Sequence, residues 1–258
     1  MMRAEPVWRV LEGNLVAYRR LWRGSIFSSF LLPALFLAAL GLGVGGLVER
    51  RTGTVAGLGY LQFVTPGILA AILVQQAAVE SLWPVMAGTK WQRTFHAAIS
   101  TPVTPDEVFG GYLAYVALRL VLAAVAFFVV AAAIGGIDSP WGVLAIPAGV
   151  LGGAAFSAPL IAYAATRDTD RSFSVIMRLA IMPLFLFSGT FFPVHRLPDW
   201  LQPVAWFSPL FHAVELCRGA MRGSIAADRV VIHLVVLIAV LVAGCWAGAR
   251  TFRERLAP

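Results

Sequence analysis

The sequence predicts an all-α integral membrane protein. Six transmembrane helices are expected, with an N-terminal amphipathic interfacial helix and outer re-entrant helices between spans five and six. Three observations carry this. The 258 residues are 59% hydrophobic and only 13% charged, against about 25% charged in a soluble domain. The mean hydropathy is +0.81, more apolar surface than a water-soluble fold of this length could hide. The apolar residues also gather into six stretches long enough to cross roughly 30 Å of hydrocarbon as helix. The chain therefore reads as one membrane domain, 1–258.

Taken in order, the stretches are Gly24–Val48, Thr52–Val79, Val108–Ile137, Ser139–Thr166, Ser172–Val194 and Val230–Ala249. Arg119, Arg178 and His233 are the ionisable residues inside them, with Glu80 at the inner edge of the second. Several starts carry helix-initiating residues. Thr104-Pro105-Asp106-Glu107 has the pattern of a capping box with proline at the first helical position. Ser139-Pro140 and Asp228 are candidate caps for the fourth and sixth spans. With the N-terminus inside, roughly twice as many basic residues fall in the inside segments as outside. That bias places both termini inside.

The segment before the first span opens with Pro6 and spaces Trp8, Leu11, Leu15, Tyr18 and Trp22 by three or four residues. Arg9, Glu12, Arg19, Arg20 and Arg23 fall elsewhere, so residues 6–23 form an amphipathic helix in the inner interface. Between spans two and three, residues 88–101 read as a short polar-amphipathic helix, Gly-Thr-Lys-Trp-Gln-Arg-Thr-Phe-His-Ala-Ala-Ile-Ser-Thr, ended by Pro102 and Pro105. It is either a connector or a docking element. Between spans four and five, Asp168 and Asp170 stand in Arg167–Arg171. They either bind magnesium and a diphosphate or form a solvated turn of mutually neutralising charges. Residues 193–223 are too apolar for an ordinary outer loop, and Pro193, Pro198, Pro203 and Pro209 forbid one continuous helix. Short re-entrant or interfacial pieces result, the second running from Ser208-Pro209 to Gly223. A lid packed on the bundle is the alternative.

The chemistry inventory excludes much. The net charge of +7 and pI near 10.2 come from basic residues scattered between apolar runs, which fits membrane anchoring and not nucleic-acid binding. No phosphate-binding loop surrounds Lys90, the one lysine, so the chain has no ATPase site of its own. No hydrolase or zinc-protease motif occurs. His96, His195, His212 and His233 are expected on different faces of the membrane, which argues against a metal cluster. Cys217 and Cys245 are expected far apart and unpaired. The sparse intramembrane charge argues against an ion-driven transporter. An enzyme is not expected.

Three motifs in fixed order resemble ABC-2 type exporter permeases. Ser188-Gly189-Thr190-Phe191-Phe192-Pro193, Leu197-Pro198-Asp199-Trp200-Leu201-Gln202, Ser208-Pro209-Leu210, Ala213-Val214-Glu215 and Arg218-Gly219 resemble the signature of that family's outer segment. Gln92-Arg93-Thr94-Phe95 followed by Ser100-Thr101-Pro102-Val103-Thr104-Pro105 is similar to its segment before the third span. Tyr60-Leu61-Gln62-Phe63-Val64-Thr65-Pro66-Gly67 resembles the second span of the branch containing nodulation protein J and daunorubicin-type permeases.

The resemblance covers essentially the whole chain and implies the membrane subunit of an ATP-binding cassette exporter in a bacterial cell membrane. It implies two permeases, identical or related, and two copies of a separate ATPase subunit that binds the ATP and magnesium. No cofactor is implied in this chain. The substrate would be hydrophobic or lipid-linked: a drug, a glycolipid or a lipo-oligosaccharide. Residues 6–23 would be the connecting helix and 88–101 the coupling helix, with Thr89, Lys90, Trp91, Gln92, Arg93, Thr94 and Phe95 meeting the ATPase. The substrate path would use Phe63, Pro66, Arg119, Met182, Phe185 and Phe187, and the outer gate Phe191, Phe192, Trp200, Trp206 and Phe207. For Arg119 two readings stay open: snorkelling outward or bonding carbonyls near Pro193, or meeting an anionic head group in the exit cleft. An intramembrane transferase acting on polyprenyl phosphates through Asp168 and Asp170 is the alternative function, and a structural scaffold a third.

Overall fold

A computed structural model describes residues 4–19, 31, 34–55, 57–223 and 227–256. Of the expected first span, Gly24–Val48, residues 24–30, 32 and 33 lie outside these, as do Arg3, Arg20, Trp22 and Arg23; its described part includes a π-helical turn at Ala38–Val44 that leads into the helix Gly45–Thr52. The helices in chain order are α1 (Ala4–Tyr18), α2 (Gly45–Thr52), α3 (Tyr60–Met86), α4 (Thr94–Ile99), α5 (Pro105–Ala133), α6 (Ala145–Thr166), α7 (Arg171–Ile176), α8 (Met182–Phe187), α9 (Gln202–Phe207), α10 (Pro209–Arg222) and α11 (Ala227–Leu256). Among the described residues there is no strand, only one isolated bridge between Val55 and Leu58.

Four helical segments are long and apolar enough to cross a membrane: Tyr60–Trp91, Pro105–Ala133, Pro140–Thr166 and Asp228–Leu256. Among the described residues, the second, third, fourth and sixth of the six expected spans stand as such helices. The second span starts at Tyr60 instead of Thr52. Gly53 and Gly57 take positive φ, and the Val55–Leu58 pair closes a tight turn where the sequence alone shows only an uncharged run. The same helix runs past Val79, through Glu80, to Met86 and on through a π-helical turn at Ala87–Trp91. The fifth apolar run folds as α7, a π-helical turn at Met177–Ile181, and α8. It stops at Phe187 because Ser188 leads into Gly189, whose φ of +81° ends the helix. The expected end at Val194 is therefore too late.

Starts were better legible. The capping box is present: Thr104 accepts from the Glu107 amide and Glu107 accepts from the Thr104 amide. Ser139 caps the 3-10 turn Pro140–Leu144 that leads into α6. Ser208 caps α10, and Gly223 at φ +66° closes it. Asp228 instead lies within the first turn of α11.

The bundle is held by close backbone approaches. α6 is the hub, packed against α3, α5, α10 and α11. Gly149 and Gly153 lie against Leu73 and Leu120, Gly152 faces Ala213, Gly244 lies on Pro159, and Gly248 on the Phe109 ring. The glycines spaced four apart, Gly149 with Gly153 and Gly244 with Gly248, are thus used in packing within the chain. Contacts also fix which segments share an end. α1, the turn 87–99, the start of α5, the end of α6, the loop 167–170 and the end of α11 lie together, and this is called the terminal end. The turn at Ser139, the end of α10, the start of α11 and residues 188–208 form the opposite end.

Candidate functional site

At the terminal end, α3 does not stop cleanly. Thr89 is buried, and its hydroxyl donates to the Val85 and Met86 carbonyls at 3.0 and 3.3 Å, extending the helix to Trp91. Arg93 then reverses the chain with φ 52°, the one positive φ on a non-glycine residue among those described. Such a conformation is uncommon outside glycine, and it separates the expected helix 88–101 into a continuation of α3 and the six-residue α4. The reversal leaves Lys90, Trp91, Gln92, Arg93 and Thr94 exposed, Trp91 at 58%. It turns Phe95 the other way. The Phe95 ring lies on Gly88, where any side chain would collide. It packs between Tyr112 at 5.4 Å and Phe252 at 5.6 Å, with Phe109 a further 5.5 Å beyond Phe252. Of the seven residues expected to meet an ATPase, Thr89 and Phe95 thus face this chain's own interior.

Charged residues from distant parts of the chain close around the same turn. Lys90 Nζ reaches Asp168 Oδ1 at 2.6 Å, and Arg255 Nη2 reaches the same oxygen at 3.0 Å. Arg255 also donates to the Thr166 and Ala165 carbonyls, covering the C-terminal end of α6. Hydrogen bonds from Lys90 and Arg255 hold the Asp168 carboxyl below the usual carboxylate range. Arg253 makes a two-pronged pair with Asp106 at 2.7 Å on each arm. The Asp168 carboxylate is thereby committed to two cations, and no group of three metal-ligating side chains occurs among the described residues.

Behind the turn lies a cleft of about 1370 Å³ between α1, the end of α3, the segment 92–103 and α5. Arg119 closes its inner end. Its guanidinium pairs with Glu80 at 2.9 Å, lies 4.2 Å from the Tyr18 ring, and meets the Tyr115 hydroxyl at 3.4 Å. Tyr112 donates to the Glu80 carbonyl at 2.7 Å. The structure thus pairs Arg119 with Glu80 at the terminal end, where carbonyls near Pro193 were one expectation. The physical reason is that charges within apolar helices pair with one another, and Glu80 is the available counter-ion.

The opposite end brings together a different set. Phe63 is buried, with the Arg218 guanidinium 4.4 Å over its ring. Arg218 pairs with Glu215 and donates to the Gly189 carbonyl at 2.6 Å. The Ser188 and Ser208 hydroxyls meet at 3.1 Å. Gly67, next to the buried Pro66, lies directly on the Thr190 backbone. Phe185 packs edge-on against Phe191 at 5.2 Å, and Phe192 is half-buried. Met182 and Phe187 face outward from this cluster. Trp200 and Phe207 are the most exposed of the expected gate residues, while Trp206 stacks on Phe211. The histidines expected apart include one close pair. His212 and His233 approach Nδ1 to Nδ1 at 2.7 Å, and His212 Nε2 lies 2.9 Å from the Trp206 carbonyl. A carbonyl only accepts, so neutral His212 donates from Nε2 and accepts at Nδ1 from His233. Cys217 is wholly buried and Cys245 partly so, and both are free.

An all-helical bundle with apolar outer faces and, among the described residues, four helices long enough to cross a membrane fits a polytopic membrane protein. The comparisons agree. The ABC-2 type transporter family matches residues 6–221. Nodulation protein J of Rhizobium meliloti (strain 1021) is 30% identical over 252 residues, covering 98% of this chain and 93% of the relative. Nodulation protein J of Sinorhizobium fredii (strain NBRC 101917 / NGR234) is 32% identical over 215 residues, covering 83% and 79%. The inner membrane transport permease YadH of Escherichia coli (strain K12) is 22% identical over 237 residues, covering 89% of each. The chain belongs to the ABC-2 type transporter family and is a membrane permease that works with an ABC ATPase subunit.

Proposed function

We propose that this chain is the membrane half of an ATP-driven exporter in the bacterial cell membrane, moving an amphiphile outward. Two permeases and two ATPase subunits make the working unit. The terminal end faces the cytoplasm with both termini, and the segment 193–223 dips into the outer leaflet as re-entrant pieces. The observation that carries this reading is the turn Lys90–Thr94. It is exposed, reversed at a left-handed Arg93, and mounted on α3 through Thr89. A chain without its own ATP site must receive force from a partner, and a rigid turn at the end of a spanning helix transmits a rigid-body displacement. Trp91 and Arg93 have the residue types that anchor protein interfaces.

Apolar residues around 63–67 and 185–192 form the outer part of the path, which suits the acyl or polyketide portion of a drug, glycolipid or lipo-oligosaccharide. The test is sidedness together with assembly. Single cysteines replacing Gln92 and Phe207 are exposed to an impermeant thiol reagent in intact cells. Labelling at position 207 and not at 92 is expected, with the ATPase co-purifying with both. Labelling at 92 from outside overturns the orientation.

A further inference from the structure

α11 touches both ends, and its two attachments differ in kind. At the terminal end its last turn is buried in the coupling region: Phe252 and Leu256 are fully covered, Phe252 lies against Phe95 and Phe109, Arg255 shares Asp168 with Lys90, and Arg253 holds Asp106. At the opposite end His233 is locked to His212, and through it to the Trp206 carbonyl, joining α11 to α10 and α9. Between His233 and Phe252 the helix runs for 19 residues without proline, about 28 Å at 1.5 Å per residue. One face, Val231, Val235, Ile238, Val242 and Trp246, is exposed, so most of its outer surface is unattached to this chain. The other face packs closely on α6 at Gly244, which lies on Pro159, and on α5 at Gly248, which lies on the Phe109 ring.

We infer that α11 is a transmission rod. It takes the displacement of the turn 87–99 at Phe252 and Arg255 and delivers it to the outer clasp through His233. Phe252, Asp168 and Arg255 are then positioning residues at one end, and His212 and His233 at the other. A helix gripped at both ends and unbroken between them moves as a unit, because compressing or bending it would break backbone hydrogen bonds. A second route runs from the turn through α3, with which it is continuous and which packs on α10, and the variants below separate the two. This inference rests on the proposed docking of the ATPase at the turn.

The experiment is hydrogen exchange on the intact permease–ATPase complex, with and without ATP and vanadate. It follows amides in 94–99, 250–256 and 202–212. In the wild type all three segments are expected to change protection on trapping. In Phe252→Leu with Asp168→Asn, segment 94–99 still responds, while the responses of 250–256 and 202–212 fall at least about fivefold. In His233→Ala, 94–99 and 250–256 respond and 202–212 does not. The milder Arg255→Gln carries the first comparison if the double variant unfolds. A wild type in which 250–256 stays silent, or a 202–212 response of full size in the variants, overturns the rod. The docking reading fails separately, if adding the ATPase without nucleotide leaves 90–99 unprotected.

Discussion

The two ends of the bundle hold themselves together by opposite means. At the surface of the terminal end, outside the half-buried Arg119–Glu80 pair, the polar contacts are exposed ion pairs joining residues far apart in sequence: Lys90 with Asp168, Arg255 with Asp168, Arg253 with Asp106. Beneath them lies a shared aromatic cluster, Phe95, Tyr112, Phe109 and Phe252. At the opposite end the polar contacts are buried and sit against apolar neighbours: Arg218 on Glu215 and Gly189, His212 on His233, Ser188 on Ser208. Exposed ion pairs are individually worth little and re-form easily. Buried ones are costly to break. Under the proposed function, the difference suits an end where a partner can exchange surface contacts and an opposite end whose buried contacts are costly to break.

The largest effect expected is at the hinge of the terminal end. Phe95→Ala empties the space between Gly88, Tyr112 and Phe252, and should cost about 3–5 kcal/mol, read as a drop in the thermal unfolding midpoint in detergent. A variant as stable as the wild type would mean that the aromatic cluster does not hold the turn. Next is Arg218→Met at the opposite end. It leaves the Gly189 carbonyl and Glu215 unpaired in a buried site and should cost about 3 kcal/mol. Because Glu215 is one-third exposed, the loss falls at the lower end for such a pair. If Arg218→Met costs no more than removal of a terminal-end arginine, the contrast between the ends collapses.

Gly67→Ala comes third. A methyl there would sit 2.7 Å from the Thr190 carbonyl oxygen, a backbone atom that cannot swing aside. About 1–3 kcal/mol of destabilisation is expected, with residues 188–191 displaced in thiol-accessibility scans. The smallest effect is Arg253→Gln. Its pair with Asp106 is exposed, so below about 1 kcal/mol is expected, and that little should vanish in high salt.

Much of this frame was legible from local chemistry. Thr104 with Glu107, Ser139 and Ser208 each announced a helix start, and Gly223 a helix end, because capping involves residues only a few positions apart. The apolar runs gave the long helices, but not their ends. Gly53 and Gly57 set the start of α3 through backbone geometry that hydropathy does not encode. The site was less legible for a related reason. Arg119 and Glu80, His212 and His233, Phe95 and Phe252 are each brought together only by tertiary packing. Two lone opposite charges in apolar helices were a usable sign of the first pair. Nothing local announced that Arg93 would reverse the chain and send Phe95 inward.

The central claim is that the exposed turn Lys90–Thr94 is where the ATPase grips the permease. Its most direct measurement is the binding of the ATPase to purified permease carrying Trp91→Ala with Arg93→Glu, beside its thermal unfolding. Both side chains point away from the bundle, so surface substitutions here should change stability by no more than about 0.5 kcal/mol. The account predicts an unchanged unfolding midpoint and at least about tenfold weaker ATPase binding. Full-strength binding by this double variant would contradict it.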